Sequence, residues 1–75
     1  MSDISSLDIL NFVAERDKAH KNQFSIDELA MAFPDNDLDL LLEKLFDLKR
    51  TGLIARISSW AYVPTQLGID ELAKI

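Results

Sequence analysis

The stretch Leu41-Leu42-Glu43-Lys44-Leu45-Phe46-Asp47-Leu48-Lys49-Arg50-Thr51-Gly52-Leu53-Ile54 decides how this chain folds. At about 100° per residue, Leu38, Leu41, Leu45 and Leu48 share one helical face, with Leu42 on its flank. The repeat stops at Thr51-Gly52, where glycine suits the left-handed backbone that closes a helix. Lys49 and Arg50 occupy the last turn and match the helix dipole. From Leu53 the period changes to two. Leu53, Ala55 and Ile57 alternate with Ile54, Arg56 and Ser58, and Trp60 and Tyr62 alternate with Ala61 and Val63. This pattern predicts strands over Leu53–Ile57 and Trp60–Val63. Neither Ser58 nor Ser59 is Gly or Asn, so a loop wider than a tight two-residue turn is expected between them. Pro64 ends the second strand, and Thr65 caps a closing helix that carries Leu67, Ile69, Leu72 and Ala73.

Before this stretch, two serines announce helices. Ser5 is followed three residues later by Asp8, and Ser25 by Glu28, so each pair can exchange hydrogen bonds as a capping box. The first helix is expected to run to about His20. Leu7, Leu10, Val13 and Ala14 lie on one side, and Ile9 and Phe12 widen the apolar arc. A helix this apolar touches several neighbours, and it leaves homodimerisation open. Phe24, just before the second cap, can staple onto Leu29. The second helix is predicted from Ile26 to about Phe33, stopped by Pro34, with a brief strand over 22–24 ahead of it. Asx side chains of Pro34-Asp35-Asn36-Asp37 can cap the third helix, expected over Asp37–Arg50.

Bulk properties narrow the function. Seventy-five residues suffice for a single domain spanning 1–75. A chain this size buries roughly 60% of its unfolded surface, so each core position counts. The apolar share of 48% and charged share of 28% are those of a globular domain. No stretch approaches the ~20 apolar residues of a membrane span, and Met1-Ser2-Asp3-Ile4 has no signal-peptide pattern. No cysteine is present, which excludes disulfides and thiolate metal sites and points to a reducing cytoplasm. Histidine-based catalysis would rest on His20 alone, where an ordinary surface histidine is the simpler account. Asp35-x-Asp37-x-Asp39 begins like a calcium loop, but Leu40 replaces the turn glycine and Phe46 the closing glutamate. No glycine loop suited to phosphate occurs. The expectation is a protein that is not an enzyme and has no cofactor and no metal.

Three helices, a two-stranded hairpin and a closing helix resemble the winged helix-turn-helix superfamily. The likeness is to its small bacterial regulators of the MarR and PadR type. Ser25-Ile26-Asp27-Glu28-Leu29-Ala30 looks like the opening of their helix 2. Leu41-Leu42-x-x-Leu45-x-x-Leu48-x-x-x-Gly52-Leu53-Ile54 looks like helix 3 running into the first wing strand. Tyr62-Val63-Pro64-Thr65-x-x-Gly68-x-x-x-Leu72 looks like the exit after the wing. The resemblance implies a mainly helical winged-helix fold with a small antiparallel hairpin. It also implies duplex readout by the third helix and the wing. These signals are mostly structural and bear on fold more than function.

The charges depart from that family pattern. Asp35, Asp37, Asp39, Glu43 and Asp47 stand against Lys44, Lys49 and Arg50 in the segment that should read DNA. The whole chain has thirteen acids, eight bases and a net charge of −5. Carboxylates beside phosphates repel, where binding relies on Lys and Arg releasing counterions. The favoured expectation is therefore a non-enzymatic interaction module in transcription or replication regulation, binding a protein partner. Its face would comprise Asp39, Leu40, Glu43, Phe46, Asp47, Trp60 and Tyr62, with the apolar members as anchors. A solvated helix face and aromatic packing over the core edge account for the same residues without a partner. The alternative is a DNA-binding regulator acting as a dimer or within a larger assembly, contacting phosphate through Lys44, Lys49, Arg50 and Arg56.

Overall fold

Two serines start the helical part of the chain in the same way. In the computed structural model, which describes residues 4–59 and 61–74, Ser5 and Ser25 each accept from the amide three residues ahead. Asp8 and Glu28 each accept in return from the capping residue's own amide. The residue before each cap, Ile4 or Phe24, is buried in the same core as the fourth helical residue, Ile9 or Leu29. That is the arrangement of a hydrophobic staple. These signals open α1 (Ser6–Lys18) and α2 (Ile26–Ala32).

The helix ends differ slightly from expectation, for identifiable reasons. α1 stops at Lys18 rather than near His20, because His20 takes a left-handed φ of 60°. The His20 amide donates to the Asp17 carbonyl at 3.0 Å and the Lys21 amide to the Arg16 carbonyl at 2.9 Å, a Schellman closure. α2 stops one residue before Phe33, whose ring instead meets Phe12 edge-on at 5.8 Å. α3 spans Leu38–Arg50 with Asp37 at its N-cap, but the Asp37 side chain makes no capping bond, so the expected Asx cap is absent. Its far end is a second Schellman closure. Gly52 has φ 83°, its amide donates to Lys49 at 3.2 Å, and the Leu53 amide donates to Leu48 at 2.9 Å. Leu53 is thereby spent on the helix cap, and β1 (Ile54–Ser58) begins one residue later than predicted.

β1 pairs antiparallel with β2 (Ala61–Pro64), Ile54 opposite Pro64 and Arg56 opposite Tyr62. The register slips between Arg56 and Ser58, so the strict alternation read from sequence breaks there. Ile57 is left exposed, and Ala61 and Tyr62 are both buried. The cover over Ala61 comes from the linker after α1. Gln23 forms a single antiparallel bridge with Ala61, and the Tyr62 amide donates to the Asn22 carbonyl at 3.0 Å. The predicted strand over 22–24 is thus one bridge.

α4 (Gln66–Ala73) is locked onto the end of α3. Thr65 Oγ1 accepts from the Gly68 amide at 3.1 Å and donates to the Gly52 carbonyl at 2.6 Å, while the Thr65 amide donates to Leu53 at 3.1 Å. α1 is central, packing against α3, β2 and α4. The core joins Ile9, Leu10 and Val13 to Leu41, Leu45, Leu48, Ile54 and Tyr62. Phe24 lies 5.1 Å from Phe12 and 5.5 Å from Tyr62 between ring centroids. Leu7 and Leu38, expected on buried stripes, are partly exposed, each in the first turn of its helix. The described residues form a mainly helical fold of four helices with a small two-stranded antiparallel sheet. No described helix is long and apolar enough to cross a membrane.

Candidate interaction face

With Leu41, Leu45 and Leu48 turned into the core, the opposite side of α3 is fixed by helical geometry. Asp39, Glu43, Phe46 and Arg50 fall within about 60° of one another on that side, and Asp47 borders them. Phe46 is 51% exposed. Met31, Ile57, Leu67 and Ile69 are about as exposed or more so, and single exposed apolar side chains are ordinary on a protein surface, so Phe46 is set apart by its charged neighbours rather than by its exposure.

The charges around Phe46 sort into two kinds. Arg50 is ion-paired to Asp47 one turn back, so the two largely cancel. Asp39 and Glu43 are exposed and join none of the ion pairs among the described residues, which are Arg16–Glu28, Lys18–Glu15, Lys74–Glu71 and Arg50–Asp47. The face therefore presents an aromatic anchor beside two free carboxylates.

Some expected members of this face lie elsewhere. Tyr62 is 2% exposed and belongs to the core, where its ring lies 5.5 Å from that of Phe24 between centroids. It is not a surface anchor. Leu40 is partly buried and packs against the core, so it braces α3 more than it offers free apolar surface. Trp60 lies outside the described residues. The basic residues of the alternative reading do not converge on one side of α3. Lys44 and Lys49 project about 140° apart around the helix, Arg50 is held by Asp47, and Arg56 stands exposed on β1.

One feature escaped the sequence reading. A cleft of about 480 Å³ opens between α1, α3 and α4, lined by Asp47, Leu48, Arg50, Leu53, Leu67 and Glu71 among others. Leu67, one of the apolar residues of the closing helix, lines this cleft and is half exposed. Gly68 accounts for its direction. A glycine at the buried position brings α4 close to Leu53, and Leu72, four residues on, continues that stripe and turns Leu67 about 100° away. Among the described residues, no group of three or more His, Asp or Glu side chains is placed to hold a metal ion. Comparison with protein-family models, curated proteins and solved structures finds no match to this chain.

Proposed function

We propose that this chain is a winged-helix interaction module without catalytic chemistry of its own, binding a basic protein partner in transcription or replication machinery through the outer face of α3. The order of three helices, hairpin and closing helix supports the winged-helix reading. So does the bridge that adds Gln23 to the free side of β2. One observation carries the functional reading: Phe46 stands half exposed beside Asp39 and Glu43, which have no intrachain counter-charge among the described residues. An apolar anchor flanked by unpaired carboxylates complements a partner with an apolar patch and Lys or Arg around it. DNA would meet those carboxylates first.

The test is capture of binding proteins from a cell lysate on immobilised chain, wild type against the triple substitution Asp39→Ala, Glu43→Ala, Phe46→Ala. Loss of the captured species with the fold retained is expected. Undiminished capture removes this face as the binding surface. A parallel titration with duplex DNA at low salt is expected to leave the amide spectrum unchanged. Salt-sensitive shifts that Arg56→Ala weakens would establish the DNA-binding regulator instead.

A further inference from the structure

Steps of four residues sort the outer surface of α3 into two rows. Leu38, Leu42 and Phe46 make one, and Asp39, Glu43 and Asp47 make the other. Members of a row stand about 6 Å apart along the axis and drift by about 40° per step, and the second row lies about 100° round from the first. The apolar row is open to solvent at both ends, with Leu38 37% and Phe46 51% exposed. Leu42 between them is partly buried and packs against the core, which holds the row in place. In the acidic row Asp47 is held by Arg50, whereas Asp39 and Glu43 join no ion pair among the described residues. α3 thus presents an apolar ridge with an acidic ridge beside it, and two of the three acids lack a counter-charge among the described residues.

We propose that the occupant of this surface is an amphipathic α-helix of the protein partner, carrying an apolar row and a basic row at the same four-residue spacing. This rests on the proposed α3 face and adds to it the partner's secondary structure and a further contact, Leu38. Row spacing selects a helix. Ridges of residues four apart pack into the grooves between such ridges on another helix. An extended strand lays only one row on a given face, because successive side chains alternate, so it cannot serve both rows. Charge selects the sign. Asp39 and Glu43 have no counter-charge to displace among the described residues, so Lys or Arg on the partner pairs with them directly. A second copy docked by the same rows supplies carboxylates where cations are needed.

The experiment is an NMR titration of the isotope-labelled full chain with a capped peptide of four Leu-Arg-Ala-Ala repeats. Its Arg row lies on the same side of its Leu row as the acids lie on α3, so the two helices match in the antiparallel sense. Two controls have the same length. Leu-Ala-Arg-Ala repeats put the Arg row on the far side of the helix, and the first peptide with Pro in place of a central Ala has its helix broken. Methyl shifts at Leu38 and Leu42 and an amide shift at Glu43 are expected with the first peptide, and both controls should bind about tenfold more weakly in Kd. Leu38→Ser and Glu43→Gln, both at exposed positions, should each weaken the first peptide by about tenfold, with an otherwise unchanged amide spectrum verifying the fold. Equal binding of all three peptides on α3, or indifference to Leu38→Ser, overturns the helix and leaves the α3 face standing. Shifts confined to residues away from α3 overturn both. No shifts with any peptide overturn the helix, and the lysate capture then decides the face. Concentration-dependent shifts at the same residues without peptide make a second copy the occupant and overturn the proposal.

Discussion

Gly68 and Gly52 are both glycines for a reason, but the reasons differ. A Cβ on Gly68 would fall well inside contact distance of the Leu53 carbonyl oxygen and 3.2 Å from Leu10 Cδ1. The obstacle is backbone, so it cannot swing aside. Gly68→Ala should cost about 3 kcal/mol or more, read as a lower urea midpoint. At Gly52 a Cβ meets nothing, yet φ is 83°, and Gly52→Ala should cost only about 1–2 kcal/mol. His20 is the converse case, a side chain in the left-handed position that glycine occupies at the end of α3. His20→Gly is expected to stabilise the domain by up to about 1 kcal/mol, seen as a higher midpoint in the same urea series. A lower midpoint would show that the imidazole makes compensating contacts.

At the scale of elements, the two capping boxes look alike in sequence and differ in what else they hold. Asp8 serves only Ser5. Glu28 serves Ser25 and also accepts from Arg16 at 2.7 Å, while the same Arg16 nitrogen donates to the Gln23 carbonyl at 2.9 Å. The Arg16 guanidinium also lies over the Phe12 ring at 5.9 Å. Arg16 therefore ties α1 to the linker that bridges β2 and to the start of α2. Removing Glu28 leaves a mostly buried guanidinium short of its counter-charge, and the Arg16 Nε is already without a hydrogen-bond partner. Glu28→Ala should cost about 1–2 kcal/mol and Asp8→Ala about 0.5–1 kcal/mol. Arg16→Met and Glu28→Ala should be less than additive together. Equal costs from paired urea melts, with full additivity, would make Arg16 a bystander.

For the whole molecule, the proposed binding face and the core occupy different positions. The triple substitution on α3 removes side chains that face water, so its effect on folding should be small. The loss comes mainly from Asp39, a first-turn carboxylate worth about 0.3–1 kcal/mol. Partner capture should nevertheless fall sharply, because exposed anchors contribute to the complex and little to the fold. The charge balance adds a second signature. With a net charge of −5, association with a basic partner should slow as salt rises from low to physiological strength. A binding rate indifferent to salt would argue for a contact made by Phe46 alone.

What could be read from the chain alone was whatever depends on near neighbours. Both capping boxes, the stop at Pro34, the turn at Gly52 and the Thr65 cap are short-range hydrogen-bonding or backbone effects, complete within a few residues, and the expected helices and hairpin strands appear within one or two positions, whereas the strand over 22–24 is reduced to one bridge and the Asx cap of α3 does not form. The leucine stripe of α3 likewise dictated that Asp39, Glu43 and Phe46 face outward. Long-range packing settled the rest. Tyr62 is buried because Phe24, some forty residues earlier, packs its ring against it in the core. Asp47 is neutralised because Arg50 folds back on it. The α1–α3–α4 cleft is lined by residues far apart in sequence, from Asp47 and Leu53 to Leu67 and Glu71. None of these is visible in periodicity, which records which side of an element is apolar but not which neighbour arrives to cover it.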